Sequence, residues 1–227
     1  MKTVELRFDE NPYFVREAYN SIRVNLLFSG ENIKTIVFTS CLPNEGKTTL
    51  TLELAKNLAE TGKKVLFLDA DLRKSVTVSR YTDRPGMTGL SQVLSGQAQA
   101  EEVILQTQIP GLHVLFSGPF PPNPTELLGG GAFEKLLNTV APEYDFVLID
   151  TSPLGLVVDA AVIAEHCNGA VMVINRGKAK TRMAKSVAEQ LRRSGCRILG
   201  AIFNHPFRTH RYTGDRYSSY RAYGKKQ

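Results

Sequence analysis

Residues 40–49 read Ser-Cys-Leu-Pro-Asn-Glu-Gly-Lys-Thr-Thr, a combination suited to holding a polyphosphate. Phosphate oxygens need several backbone N–H donors at once. A tight loop that opens a helix supplies them, together with the positive end of the helix dipole. Pro43, Asn44, Glu45, Gly46, Lys47, Thr48 and Thr49 are therefore the candidate nucleotide contacts. Lys47 is placed to put a point charge between the β- and γ-phosphates, and the Thr48 hydroxyl to bind Mg2+. Cys41 stands where the generic phosphate-loop pattern has its first glycine, so the loop alone leaves that signature incomplete.

Two further segments end in carboxylates. Val65-Leu66-Phe67-Leu68 runs into Asp69, Ala70 and Asp71, and Phe146-Val147-Leu148-Ile149 runs into Asp150. Alternate residues of a strand face the same side, so continued extension would aim both Asp69 and Asp71 at the phosphates. Ligands of open α/β sheets sit beyond the carboxyl ends of the strands, and all three acids are expected there. Mg2+ takes hard oxygen ligands and retains waters. Thr48, Asp69 and Asp150 suit it, directly or through water. Lys47, Asp69 and Asp71 are the candidates for chemistry, and the choice between the two acids as base stays open. His113, His166, His205 and His210 form no triad or ligand spacing. Cys41, Cys167 and Cys196 are odd in number and too scattered for a metal site, which suits reduced thiols.

The elements that must position these groups alternate along the chain. Apolar, β-branched runs predict strands at Thr35–Thr39, Val65–Asp69, Leu112–Phe116, Phe146–Asp150, Ala170–Ile174 and Ile198–Phe203. They are continuous rather than alternating, as strands buried on both faces of a parallel sheet are. Helical patterns fall at Thr48–Glu60, Glu126–Val140, Val158–His166 and Lys180–Ser194. Strand–helix alternation implies one doubly wound α/β domain, mostly parallel, with helices on both faces. With 227 residues there is room for one such domain. The expected division is an N-terminal helical segment over 1–30, a P-loop domain over 31–208 and a polar, flexible tail over 209–227. The first segment holds a helix at Asn11–Phe28, and Pro-rich Gly118–Asn123 is a rigid entry to the helix after it.

The net charge of +6 raises nucleic acid as a partner. Arg208–Gln227 carries six basic residues against Asp215, which is +5 and leaves about +1 for the rest. Basicity in a tail does not make a nucleic-acid groove, and no nucleic-acid partner is expected. No run approaches the roughly 20 apolar residues of a membrane span, and the N-terminus lacks the apolar core of a signal peptide. A cytoplasmic protein is expected. Tyr212, Tyr217, Tyr220 and Tyr223 lie in the tail among Arg, Ser and Gly, half of the eight tyrosines in the chain. They are the candidate phosphorylation sites.

The loop, followed by Leu68-Asp69-Ala70-Asp71-Leu72-Arg73 and then Leu148-Ile149-Asp150-Thr151-Ser152-Pro153, resembles the Walker A, A′ and B motifs of the bacterial protein-tyrosine kinases of capsule and exopolysaccharide synthesis. The resemblance extends to Gly118–Leu128, to Gly200–Asn204 and to the tyrosine-rich C-terminus. It implies an ATP- and Mg2+-dependent kinase that autophosphorylates its tail in trans, with Lys47 and Thr48 on phosphate and metal, Asp69 or Asp71 on the incoming tyrosine and Asp150 in the metal shell. Asn204 is implied at the adenine. Glu17-Ala18-Tyr19-Asn20-Ser21-Ile22-Arg23 is similar to the family's Glu-x2-Arg-x2-Arg oligomerisation motif, with Asn20 at the middle Arg. The implied partners are further copies in a ring, a transmembrane polysaccharide co-polymerase-like adaptor and a cognate tyrosine phosphatase. The form the resemblance implies is the split one, held peripherally at the inner face of the membrane by its adaptor. The competing reading is a nucleotide switch similar to the septum-placing and partition ATPases. Their signature lysine aligns with Leu42 here, and they lack a tyrosine-rich tail.

Overall fold

The computed structural model describes residues 2–84 and 86–204. In chain order the elements are β1 (Thr3–Val4), α1 (Tyr13–Leu27), β2 (Thr35–Ser40), α2 (Lys47–Ala59), β3 (Val65–Asp69), α3 (Thr77–Tyr81), α4 (Leu90–Leu94) and α5 (Ala100–Val103). There follow β4 (Leu105–Thr107), β5 (Leu112–Leu115), α6 (Pro124–Gly129), α7 (Gly131–Val140), β6 (Phe146–Asp150), α8 (Asp159–Ala164), β7 (Gly169–Asn175), α9 (Thr181–Arg193) and β8 (Ile198–Asn204). One sheet orders the strands β1-β4-β5-β3-β6-β2-β7-β8. Every neighbouring pair is parallel except β4 with β5.

Strand alternation divides the core into two layers. Ile36, Phe38, Val65, Phe67 and Leu148 face α2, where Leu50, Leu54 and Leu58 repeat every four residues. Val37, Leu66, Leu68, Val147 and Ile149 face the other way, onto Leu128, Phe133, Leu137, Ile163, Val187 and Leu191 of α6 to α9. Helices thus cover both faces, and β2, β3 and β6 are buried along their whole length. Each fully buried Leu or Phe contributes about 1.5–3 kcal/mol relative to an exposed one. The register ties Phe38 to Asp150 and Asp150 to Asp69, so β3 and β6 end level and β2 runs two residues further.

Three features depart from the sequence expectation. The stretch expected as one helix over Glu126–Val140 is two, separated at Gly130, whose φ of −80° and ψ of 157° are extended. Leu127 and Leu128 fall on a different helical face from Phe133, Leu136 and Leu137, and the three consecutive glycines between them disfavour a continuous helix. Strands β1 and β4 were not anticipated; at two and three residues they are too short to show a pattern. Helices α3, α4 and α5, of four or five residues, were also missed. Among the described residues no helix is long and apolar enough to cross a membrane. Tyr212, Tyr217, Tyr220 and Tyr223, with His205 and His210, lie outside the described residues.

Candidate active site

The chain leaves β2 at Ser40, turns through 41–46 and enters α2 at Lys47. Two left-handed residues make the turn, Asn44 at φ 59° and Gly46 at φ 82°. Glycine adopts that conformation without strain, and Asn does so more readily than other side chains. The first turn of α2 then presents backbone N–H groups with no partner inside the helix.

Glu45 is expected among the nucleotide contacts, yet its carboxylate faces inward and is 1% exposed. One oxygen accepts the N–H groups of Cys41 and Leu42, each at 2.8 Å, and the other accepts that of Asn175 at 2.9 Å. The Asn204 side-chain amide donates to the Glu45 carbonyl at 2.9 Å, and Lys178 Nζ to the Asn44 carbonyl at 2.8 Å. The phosphate loop is therefore braced from β7, β8 and the turn after β7. Only its backbone is left for phosphate at Glu45. Replacing Glu45 by Ala leaves three backbone donors, two of them buried, without their acceptor. At about 1–3 kcal/mol each, with relaxation and water offsetting part, a stability loss of about 3 kcal/mol is expected in chemical denaturation. A loss below about 0.5 kcal/mol would contradict the brace.

Lys47 and Asp150 form a buried pair, 6% and 1% exposed, with Nζ 2.6 Å from Oδ1. The Thr48 hydroxyl donates to Asp150 Oδ2, also at 2.6 Å. Burial pushes the Asp150 carboxyl above its ordinary range, and Lys47 opposes the shift. Asp69, fully buried on the neighbouring strand, is pushed up to about 7, mainly by burial and then by the charge of Asp150. Its oxygens accept from the Ser75 hydroxyl and, at 3.2 Å, from the N–H of Asp71.

The alternation expected to align Asp69 with Asp71 stops at Asp69, where β3 ends. Asp71 instead sits in a turn and accepts the backbone N–H groups of Arg73 at 3.2 Å and Lys74 at 3.0 Å. The Ser152 hydroxyl donates to it at 2.6 Å. Asp71 is half-buried where Asp69 is sealed. Beyond the turn, Arg73 donates to both oxygens of buried Asp159, at 2.6 and 3.1 Å, and to the Thr125 hydroxyl at 2.7 Å. That cluster ties the turn to the starts of α6 and α8. Asp159 raises the already high pKa of Arg73.

The geometry thus gathers the residues 43–49, Asp69, Asp71, Asp150 and Asn204 at one end of the sheet. Sequence reasoning missed the braces Asn175 and Lys178, the partners Ser75 and Ser152, and the Arg73–Asp159–Thr125 cluster. No spacing signals these, because they converge from segments up to 134 residues apart. Whether Mg2+ and a triphosphate suit the site can be judged from its donors. Among the described residues no three His, Cys, Asp or Glu side chains converge on a cation position. Mg2+ rarely uses such a cage; it takes one or two carboxylates and completes its shell with substrate phosphates and waters. A hydroxyl and a carboxylate at hydrogen-bond distance, with a second carboxylate carrying a raised pKa beside them, fit that mode. The buried acids also outnumber Lys47, a deficit that a dication relieves.

A profile described as an AAA domain matches residues 33–175. The tyrosine-protein kinase CpsD of Streptococcus agalactiae is 40% identical over 210 residues, covering 92% of this chain and 90% of its own. The kinase domain of the Escherichia coli tyrosine kinase ETK superposes with a TM-score of 0.79 at 29% identity, over 92% of this chain and 87% of that one. The septum site-determining protein MinD of Pyrococcus horikoshii, complexed with Mg-ADP, shares the fold less completely. Its TM-score is 0.66 at 27% identity, over 78% of this chain and 72% of that one. The kinases thus match more of the chain, and match it better, than the nucleotide switch does. The P-loop site and these relatives together place the chain in the family of bacterial tyrosine-protein kinases.

Proposed function

We propose that this chain is an ATP- and Mg2+-dependent protein-tyrosine kinase that phosphorylates its own Tyr212, Tyr217, Tyr220 and Tyr223 in trans and so regulates capsular or exopolysaccharide synthesis and export. The observation that carries the reading is the convergence of Lys47 and Thr48 on one carboxylate, Asp150, at the start of α2, with Asp69 and Asp71 beside it. Lys47 neutralises charge on the transferring phosphoryl group, and Thr48 and Asp150, with Asp69 beside them, would hold the cation directly or through water. Asp71, the accessible acid of the pair, orients the tyrosine hydroxyl and takes its proton. The bond from the tyrosine oxygen to the γ-phosphorus forms as the β,γ-bridge breaks, and ADP leaves. Asn204, whose side-chain amide donates to the Glu45 carbonyl of the loop, is the residue proposed to contact the adenine.

Helix α1 supports assembly with further copies. Its Tyr13, Phe14 and Leu27, and Phe28 just beyond it, are exposed. Asn20, at the place of the motif's middle Arg, bonds Glu17 at 3.0 Å and accepts from Asn57 of α2 at 3.1 Å. It is occupied within its own chain, leaving Glu17 and Arg23 as the motif's charged groups for a neighbour. A transmembrane adaptor holding the kinase at the inner face of the membrane, and a tyrosine phosphatase that reverses the modification, complete the proposed system.

The test mixes a Lys47→Met chain with an active chain lacking residues 209–227, in Mg-ATP and with the adaptor. Phosphotyrosine on the inactive chain's tail, mapped by mass spectrometry, is the expected result. An unmodified tail beside an active partner that phosphorylates an added tyrosine peptide would exclude transfer in trans.

A further inference from the structure

The tail is only one of two basic blocks. Residues 1–175 hold fourteen Lys and Arg against twenty Asp and Glu, a net charge of −6. Residues 176–197 hold eight basic residues against Glu189 alone, a net charge of +7. With the +5 of the tail, the last quarter of the chain carries about +12 and the rest is acidic. The near-neutral sum for everything outside the tail conceals this division.

The second block is organised by α9. Val187 and Leu191 are buried against the sheet, 1% and 0% exposed, and fix which face looks outward. Arg182, Lys185, Glu189 and Arg192 recur at intervals of three and four, which places them on one stripe, with Arg193 at its margin. The four basic side chains are exposed, and none forms an ion pair among the described residues. Lys180 and Arg197 extend the positive surface at either end. Thirteen residues of helix span about 20 Å. Lys178 belongs to the phosphate loop's braces and is no part of this face.

We propose that the outer face of α9 binds an anionic phospholipid surface directly, without the adaptor. The form of the patch selects the partner. A single helix face is convex, which suits a planar sheet of headgroups, and Lys and Arg near such a sheet each add about 1 kcal/mol of attraction. Single-stranded nucleic acid is bound on aromatic platforms, and residues 176–197 contain no Phe, Tyr or Trp. The acidic remainder of the molecule is repelled by the same membrane, so attraction and repulsion together orient the bound chain with α9 toward the lipid. The contact does not rest on the kinase reading, since it needs neither ATP nor a phosphorylated residue.

The experiment uses the full chain without ATP or adaptor. Vesicles of phosphatidylcholine with a third phosphatidylglycerol, and vesicles of phosphatidylcholine alone, are sedimented with the protein. Duplex DNA and polyglutamate at matched charge serve as competitors. The variant is Arg182→Glu, Lys185→Glu, Arg192→Glu and Arg193→Glu together, with its thermal midpoint compared with that of the native chain. Native protein is expected to sediment with anionic vesicles only, less so as salt shortens the Debye length. The folded variant is expected to bind at least about tenfold more weakly. If a folded variant binds as the native chain does, the tail alone carries the charge and the proposal fails. A variant that has lost its fold is replaced by the four single substitutions, each expected to weaken binding. Preference for DNA or polyglutamate over the vesicles also overturns it, in favour of a nucleic-acid or acidic-protein partner.

Discussion

Lys47→Met is expected to lower phosphotyrosine formation by at least about a thousandfold, the scale on which a cationic group at a transferring phosphoryl acts. The same substitution should also disturb folding, because Lys47 is the partner of a buried acid. Its Nζ lies 2.6 Å from Asp150 Oδ1. Removing one member of a buried pair costs about 3–5 kcal/mol, less where the remaining acid can take up a proton. Burial already raises the Asp150 pKa and Lys47 restrains it, so without the lysine it climbs further. A carboxyl with a raised folded-state pKa binds more protons folded than unfolded, and its contribution to stability falls as pH rises. The gap in thermal midpoint between native and variant chains should therefore be small near pH 5 and larger near pH 8. Adding Asp150→Asn should recover most of the lost stability and none of the activity. Undiminished phosphorylation by the folded single variant would remove Lys47 from the mechanism. A stability gap that ignores pH would remove the buried-pair account.

The central strands could be read from the chain because they are buried on both faces, where continuous apolar runs such as Val65–Leu68 and Phe146–Ile149 have few other uses. Their terminal acids could be placed for the same reason. The chain beyond the strand ends could not. Asp69 and Asp71 are two residues apart, but Asp71 is set by a turn and by a hydroxyl from Ser152, 81 residues away. Glu45 has the composition of a loop contact and the environment of a core brace; only the arrival of Asn175 distinguishes them. The helix boundary at glycines 129–131 was passed over although the apolar face shifts there, between Leu128 and Phe133. Charge was misread for a related reason: a total outside the tail near +1 gives no sign that α9 and its flanks hold +7 against an acidic remainder. Periodicity reports burial along one element, whereas sites and patches are made where elements meet.

Asp69→Asn and Asp71→Asn are each expected to reduce the rate by at least about a hundredfold, the scale for losing a positioned base or a metal-shell oxygen. Stability and pH dependence should separate them. The Asp69 carboxyl, pushed up to about 7 by burial and by Asp150, disfavours folding once it must ionise. Its contribution to stability is greatest below its unfolded value of about 4 and declines as pH rises to about 7. The Asp69→Asn substitution removes the charge and keeps an oxygen for the Asp71 N–H or the Ser75 hydroxyl. That variant should be at least as stable as the native chain near pH 8, although nearly inactive. Asp71 is half-buried, and its three donors all reach one oxygen, which an asparagine keeps. Asp71→Asn should give no such gain. In the native enzyme kcat/KM should rise with pH through about 7 as Asp69 ionises, and saturating Mg2+ should shift the rise toward lower pH. A residual rate in the Asp71→Asn variant should keep that rise, while a residual rate in the Asp69→Asn variant should lose it. Asp145→Ala supplies the control. Asp145 directly precedes β6, accepts the Lys64 N–H at 2.8 Å and lies at the opposite end of the strand from Asp150. Its loss should leave the rate within about twofold. An Asp145→Ala variant as inactive as the Asp69→Asn variant would mean that the chemistry is not at the carboxyl ends of the strands.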